Sequence, residues 1–315
     1  MHASIVLTSF WQDLINLKDY TAAGLAQGGV YALAAIGLVL IYRVSGVLNF
    51  AQGAVATVSA FVAYTLVYQA APSWMPAWIP PLYGLLAAIV TGCVIGFLIE
   101  YLTIRPLTGR PQIVKVAVTI GWLLVLQQAA GLIWGFTAYH PPINIVSQDA
   151  TFIIPGTRVF IGMNQVMVIA VAGALAIGVA ALLRFTTLGT SMRAVSDDPH
   201  AARLWGIRVD RVTAASWVLG SAMAAIAGVL ITPFITFNPF VLTIIVISAF
   251  AAALIGRLQS LPLTFLGAMV LGVLQSWPAS FGLTGSAWQE AAAFAVILFA
   301  LVVIYRPGAR GLRLV

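Results

Sequence analysis

Long apolar stretches separated by short polar breaks run along the chain from residue 20 to residue 305. Stretches without a formal charge cover 20–42, 44–99, 116–148, 159–183, 212–256, 258–289 and 291–305. A helix needs roughly 20 apolar residues to cross about 30 Å of hydrocarbon, so several of these stretches are long enough to cross twice. Prolines divide them where a turn outside the bilayer would fall: Pro72, Pro76, Pro80 and Pro81 in the second, Pro233 and Pro239 in the fifth. The pattern predicts about nine spans (range eight to ten), near 22–42, 51–70, 82–102, 116–136, 164–183, 212–232, 241–256, 263–281 and 288–305. The expected fold class is an all-α polytopic membrane bundle, with 1–315 as a single transmembrane domain.

One polar segment interrupts this pattern. Residues 184–211 carry eight of the chain's 23 formal charges and predict a loop in water. Within it, Asp197-Asp198-Pro199 reads as a helix start, with an acid to accept from the first free N–H groups and a proline pre-set for the first turn. Ala201 to Trp205 continue the helix and Gly206 supplies its stop. Leu204, Trp205 and Ile207 are left as an apolar contact. An ordinary solvated loop is the plainer reading of the same charges.

Composition and charge sharpen the class. The chain is 62% hydrophobic and 7% charged, whereas soluble domains carry about 25% charged residues. With the C-terminus inside, the inner loops hold Arg43, Arg105, Arg110, Lys115, the five arginines of 184–211, Arg257, Arg306, Arg310 and Arg313. Lys18 and Arg158 alone lie opposite. Because cytoplasmic loops collect Lys and Arg, this asymmetry predicts an N-out, C-in orientation. The basic residues never form a stripe, which leaves a nucleic-acid partner without support.

The termini and outer loops carry less information. The first residues lack a basic region, so no cleaved signal peptide is expected. Instead Val6, Leu7, Phe10, Trp11, Leu14 and Leu17 recur at helical spacing beside Gln12, Asp13 and Asn16. That makes 1–19 an interfacial helix or a frayed terminus. Residues 137–163, with Trp134, His140, Asp149 and Arg158 in or near them, form a periplasmic loop. It is a docking surface for a receptor protein or a plain connector.

Reactive chemistry is sparse. Cys93 is the only cysteine, which excludes an internal disulfide and a cysteine-based metal site. His2, His140 and His200 share no helical face, and neither HExxH nor GxSxG occurs. Glu100 and Glu290 lie near span ends, where snorkelling competes with a proton-carrier role. The lysines, Lys18 and Lys115, follow Leu17 and Val114, so there is no P-loop and no ATP site of the chain's own.

The segment RAVSDDPHAARLWGIRVDRV resembles the cytoplasmic coupling loop of ABC-importer permeases, with Ala201, Ala202, Gly206 and Ile207 matching that motif's alanine pair, glycine and aliphatic residue. It is similar above all to the branched-chain amino acid permease family. GLAQGGVYALAAIGLVLIYRVSGVLNFAQGA at 24–54, EYLTIRPLTGRP at 100–111 and IGRLQSLPLTFLGA at 255–268 extend the likeness over nearly the whole chain. The resemblance implies a multi-pass subunit of a bacterial inner membrane, forming the path for branched-chain amino acids. Its implied partners are a second permease (the same chain or another), two ATP-binding subunits that use the ATP, and a periplasmic binding protein. Asp197, Asp198, Ala201, Ala202, Leu204, Gly206 and Ile207 are the expected coupling residues, on a helix kept rigid by its caps. This chain itself is expected to bind no cofactor.

The solute path is less marked. Gly46 to Gly53 set Asn49 and Gln52 among glycines, a composition that favours unwound backbone, which is tolerated at membrane depth only where buried or lining a cavity. Asn49 and Gln52 are candidate lining residues, with Gln259 in the comparable break Gly256–Pro262; interhelical hydrogen bonding is the competing role. GxxxG pairs at Gly24/Gly28, Gly92/Gly96 and Gly131/Gly135 are packing features. With no ionisable residue in mid-span, urea or a short amide is an alternative cargo. An ion-driven carrier is the more remote alternative.

Overall fold

The computed structural model describes residues 2–72, 76, 79–136, 143, 151–153, 160–235, 238, 240–281 and 286–304. The helices are α1 (His2–Ser45), α2 (Gln52–Tyr64), α3 (Ile79–Ile99), α4 (Gln112–Trp134), α5 (Met163–Phe185), α6 (Thr187–Asp197), α7 (Pro199–Leu204), α8 (Val209–Ile231), α9 (Val241–Ile255), α10 (Leu261–Ser276) and α11 (Ser286–Phe299). Three of them end in a π-helical turn, at Thr65–Gln69, Glu100–Ile104 and Ala300–Ile304. One small departure from an all-helical fold is an antiparallel ribbon before α5, in which β1 (Thr151–Ile153) pairs with β2 (Phe160–Gly162).

Six helices among the described residues are long and apolar enough to cross a membrane: Tyr20–Ser45, Ile79–Ile104, Gln112–Trp134, Met163–Phe185, Val209–Phe234 and Leu261–Ser280. The other three expected spans are helical as well but shorter, with apolar portions such as Ile245–Ile255 and Glu290–Val302. The segment expected to lie along the interface has no break from the first span, because α1 is unbroken from His2 to Ser45. Expectations resting on His140, Asp149, Arg158, Arg306, Arg310 and Arg313 fall outside the described residues. Trp134, at the end of α4 just before residues 137–163, stacks on Phe61 at 5.2 Å and donates to Thr65 Oγ1 at 2.8 Å.

α1 and α8 form the centre, and α2, α3, α9 and α10 pack around them. Without a hydrophobic drive between helices in lipid, close packing depends on small residues at the seams. At Gly272 an added Cβ would run into the Gly24 carbonyl oxygen, so α1 and α10 touch backbone to backbone. Gly96 likewise lets α3 close on α8, against the Ser221 side chain and the Trp217 carbonyl. Polar side chains tie α1, α9 and α10 together: Gln275 donates to Ser248 at 3.1 Å, Tyr31 bonds Ser248, and Ser276 donates to Gln27 at 3.4 Å.

Candidate functional site

Between α5 and α8 the chain leaves the bundle and returns through two short helices. Thr186 ends α5 in extended backbone and accepts from the Gly189 N–H at 3.1 Å, which starts α6. Gly189, Met192 and Val195 turn one face of α6 inward, and the backbone at Gly189 presses on that of Leu183, leaving no room for a side chain. Sequence reading missed α6. Its signal was there, in Leu188, Met192 and Val195 at helical spacing behind a threonine cap.

Asp198 then separates α6 from α7. Its backbone is extended (φ −153°, ψ 106°), and its carboxylate accepts from the N–H groups of His200 at 2.7 Å and Ala201 at 3.1 Å. The Ala201 and His200 N–H groups hold this carboxyl below the usual aspartate range, because they stabilise the ionised form. Pro199 is the first helical residue. At the other end Gly206 takes φ +80°, donating to the Arg203 carbonyl, while Ile207 donates to the Ala202 carbonyl, both at 3.0 Å. These are the two bonds of a Schellman motif, which uses glycine for its left-handed residue.

The expected residues of this segment therefore divide in two. Asp198, Pro199 and Gly206 shape α7. Ala202 is buried and Ile207 packs on the core, so Ile207 is an anchor and is not part of an outward apolar contact. Asp197 ends α6, exposed. Leu204 and Trp205 are 90% and 87% exposed, side by side at the tip. Arg203 and Asp210 brace the return to α8 loosely, at 4.0 Å.

Behind α7 lies a cleft of about 140 Å³ lined by Glu100, Arg105, Lys115, Arg203, Asp210 and Thr213 among others. Glu100 does not snorkel. It is buried, and Arg105 reaches it with two hydrogen bonds, Nε to Oε1 at 3.2 Å and Nη2 to Oε2 at 2.9 Å. In a regular α-helix residues five apart point about 140° apart. Here the π turn, closed by the Arg105 N–H on the Glu100 carbonyl, puts them on one side. The Arg105 guanidinium also lies 5.0 Å over the Tyr101 ring.

The backbone from Gly46 to Ala51 is unwound; Asn49 is buried within it, and Gln52 is buried at the start of α2. Asn49 Nδ2 donates to Gln52 Oε1 at 3.1 Å, and Gln52 Nε2 donates to the Gly220 carbonyl of α8 at 2.9 Å. Gln52 also borders a cavity among Ala34, Ala56, Ala224 and Gly228 with room for no more than a single water. Gln259 is not brought to them; it is exposed in the α9–α10 turn. That turn is strained, since Arg257 and Leu258 both adopt left-handed backbone (φ +54° and +55°) where glycine is the usual occupant.

The family model of the branched-chain amino acid transport system permease component matches residues 20–304. The high-affinity branched-chain amino acid transport system permease protein LivH of Salmonella typhimurium is 28% identical over 301 residues, covering 94% of each chain. The protein of the same description named BraD, from Pseudomonas aeruginosa, is 29% identical over 314 residues, 95% of this chain and 94% of its own. A probable branched-chain amino acid transport permease protein LivH of Methanocaldococcus jannaschii is 29% identical over 275 residues, 82% of each. No solved structure matches.

Proposed function

This chain belongs to the family of permease components of branched-chain amino acid transport systems, and from that premise we propose that it is the membrane subunit of a binding-protein-dependent ABC importer, driven through α7. The observation that carries the reading is the exposed Leu204–Trp205 pair on a helix stopped at both ends. In a polar segment such a pair is stable in water only at a cost of about 1.5–3 kcal/mol per large side chain left unburied. A groove in an ATP-binding subunit removes that cost. The caps make α7 short and stiff, and its burial at Ala202 and Ile207 passes a push on the tip to α6 and α8. Asp197, Asp198, Ala201, Ala202, Leu204, Gly206 and Ile207 form this coupling element.

The rest of the assembly follows from the same premise. The chain spans the bacterial inner membrane about nine times, N-out and C-in, with α6 and α7 in the cytoplasm. It pairs with a second permease, the same chain or another. Two ATP-binding subunits consume the ATP, and a periplasmic receptor delivers cargo to the outer loops. The cargo is a branched-chain amino acid. A neutral solute such as urea or a short amide is the second reading, favoured by buried polar side chains that, among the described residues, are mostly amides and hydroxyls, with Glu100 the one buried acid.

For Asn49 and Gln52, their mutual bond and the Gln52–Gly220 bond support a role in tying α2 to α8 beside the solute path, while Gln259 stands exposed in the α9–α10 turn, apart from both. Reconstitution in liposomes with the ATP-binding subunits, second permease and receptor tests the proposal. ATP-dependent leucine uptake, lost in Leu204→Asp/Trp205→Asp while the chain stays folded, is expected. Uptake driven by an ion gradient without any ATPase overturns it. Receptor-dependent uptake of urea without leucine uptake replaces the cargo alone.

A further inference from the structure

We propose that the cleft behind α7 binds a phosphate group, supplied by the headgroup of an anionic phospholipid. Three cations line it, Arg105, Lys115 and Arg203, against two acids, Glu100 and Asp210. The Glu100 charge is already matched by Arg105 at 2.9 Å. That leaves Lys115, which has no acidic partner among the described residues, and Arg203, held only at 4.0 Å by an Asp210 side chain that is itself 61% exposed. The balance in the cleft favours an anion.

The backbone adds to this balance. α4 and α8, each 23 residues long, begin at the cleft, with Lys115 in the first turns of one and Asp210 and Thr213 in those of the other. Neither helix has a side-chain cap on its first N–H groups. The positive end of α4, with no acid in its first turn, remains available to an anion, whereas Asp210 already occupies the first turn of α8. An ammonium group would meet the reverse field, which disfavours a free amino acid here.

The surroundings point to a lipid as the source. The cleft lies where the apolar spans end, and Tyr101, Leu102, Ile113 and Val114 stand exposed on α3 and α4 beside it. Acyl chains have an apolar face to lie against while the phosphate reaches the cations. Basic pockets between helices at the membrane surface recognise headgroups in this way. Pro199 and Arg203 of α7 belong to the lining, so an occupant there would bridge α7 to the ends of α3 and α4.

The test is the thermal midpoint of the full-length chain in a neutral detergent, titrated with short-chain phosphatidylglycerol, short-chain phosphatidylcholine, inorganic phosphate or leucine. A saturable rise with phosphatidylglycerol and none with phosphatidylcholine is expected. Lys115→Gln and Arg203→Gln should each weaken it about fivefold, as one cation near an anionic surface is worth about 1 kcal/mol. Lys115→Arg should retain it and guard against a folding artefact. A rise with inorganic phosphate that the same variants weaken also supports a phosphate site, with the free anion as its source. Equal responses to both lipids, an unchanged titration in both glutamine variants, or a response to leucine alone overturns the proposal. Because no ATPase is present, failure here leaves the coupling role of α7 untouched.

Discussion

Apolar side chains stand exposed in two regions of this molecule, with opposite meanings. On α3, α4 and α5 they face outward along whole spans: Leu86, Val90, Leu124, Leu132 and Ile177 lie on surfaces that lipid covers. On α7 the exposed pair is Leu204 and Trp205, inside the most charged segment of the chain. Lipid tails are as apolar as leucine, so the first exposure costs nothing and calls for no partner. The second lies in a charged segment without such cover, and the ATP-binding subunit proposed above is what would cover it.

The span that packs inside reverses the usual rule as well. Tyr20–Ser45 has a mean hydropathy of 1.9 and is 89% buried, while Met163–Phe185, at 2.7, is 11% buried. In water the greasier segment would be the core. In a bilayer the core goes to helices that touch through glycine and hydrogen-bond across seams, and the greasiest one is left to the lipid.

Substitutions can break or sharpen this contrast. The largest effect is expected in the inner region: Gly272→Leu drives a side chain into the Gly24 and Gly28 backbone, at a cost of about 3 kcal/mol or more. It should abolish a monodisperse peak in size-exclusion chromatography, whereas Ile177→Ala on the lipid face leaves that peak in place. Next is Arg105→Gln, which strands the buried Glu100 carboxylate and should cost about 3 kcal/mol. Glu100→Gln/Arg105→Gln should regain most of it, as read from thermal midpoints.

Trp205→Ala sharpens the outer side of the contrast. It should leave the midpoint within about 1 °C, yet weaken binding to the ATP-binding subunit by roughly thirtyfold or more, as for a buried interface tryptophan. Gln52→Leu should cost only about 0.6–1.7 kcal/mol, the range of interhelical hydrogen bonds in membranes. Smallest is Asp198→Ala, which removes the α7 cap and should weaken ATPase binding by about fivefold at pH 7. Because the Asp198 carboxyl titrates below its ordinary value, its cap is complete above about pH 4 and fades as pH falls further. Wild type and variant should therefore converge in strong acid.

What the chain reveals before folding follows the reach of each interaction. The spans are legible because lipid demands an apolar run of set length, and α7 because Asp198, Pro199 and Gly206 all lie within one nine-residue stretch. The Glu100–Arg105 pair is not legible, since a five-residue spacing meets only on a π turn. Nor is the Tyr31–Ser248–Gln275 cluster, whose members come together from three distant helices. The exposure of Leu204 and Trp205 with Ile207 turned inward was half legible. Three apolar residues at the end of a helix do not announce which of them the Schellman turn will fold back.

The most direct measurement is cross-linking from the tip of α7. With Cys93 replaced by alanine, a lone cysteine at Leu204 should couple to a cysteine in the groove of the ATP-binding subunit in native membranes, and should resist an impermeant thiol reagent applied outside spheroplasts. A cysteine at Leu204 that the outside reagent labels, and that never couples to the ATPase, contradicts the account.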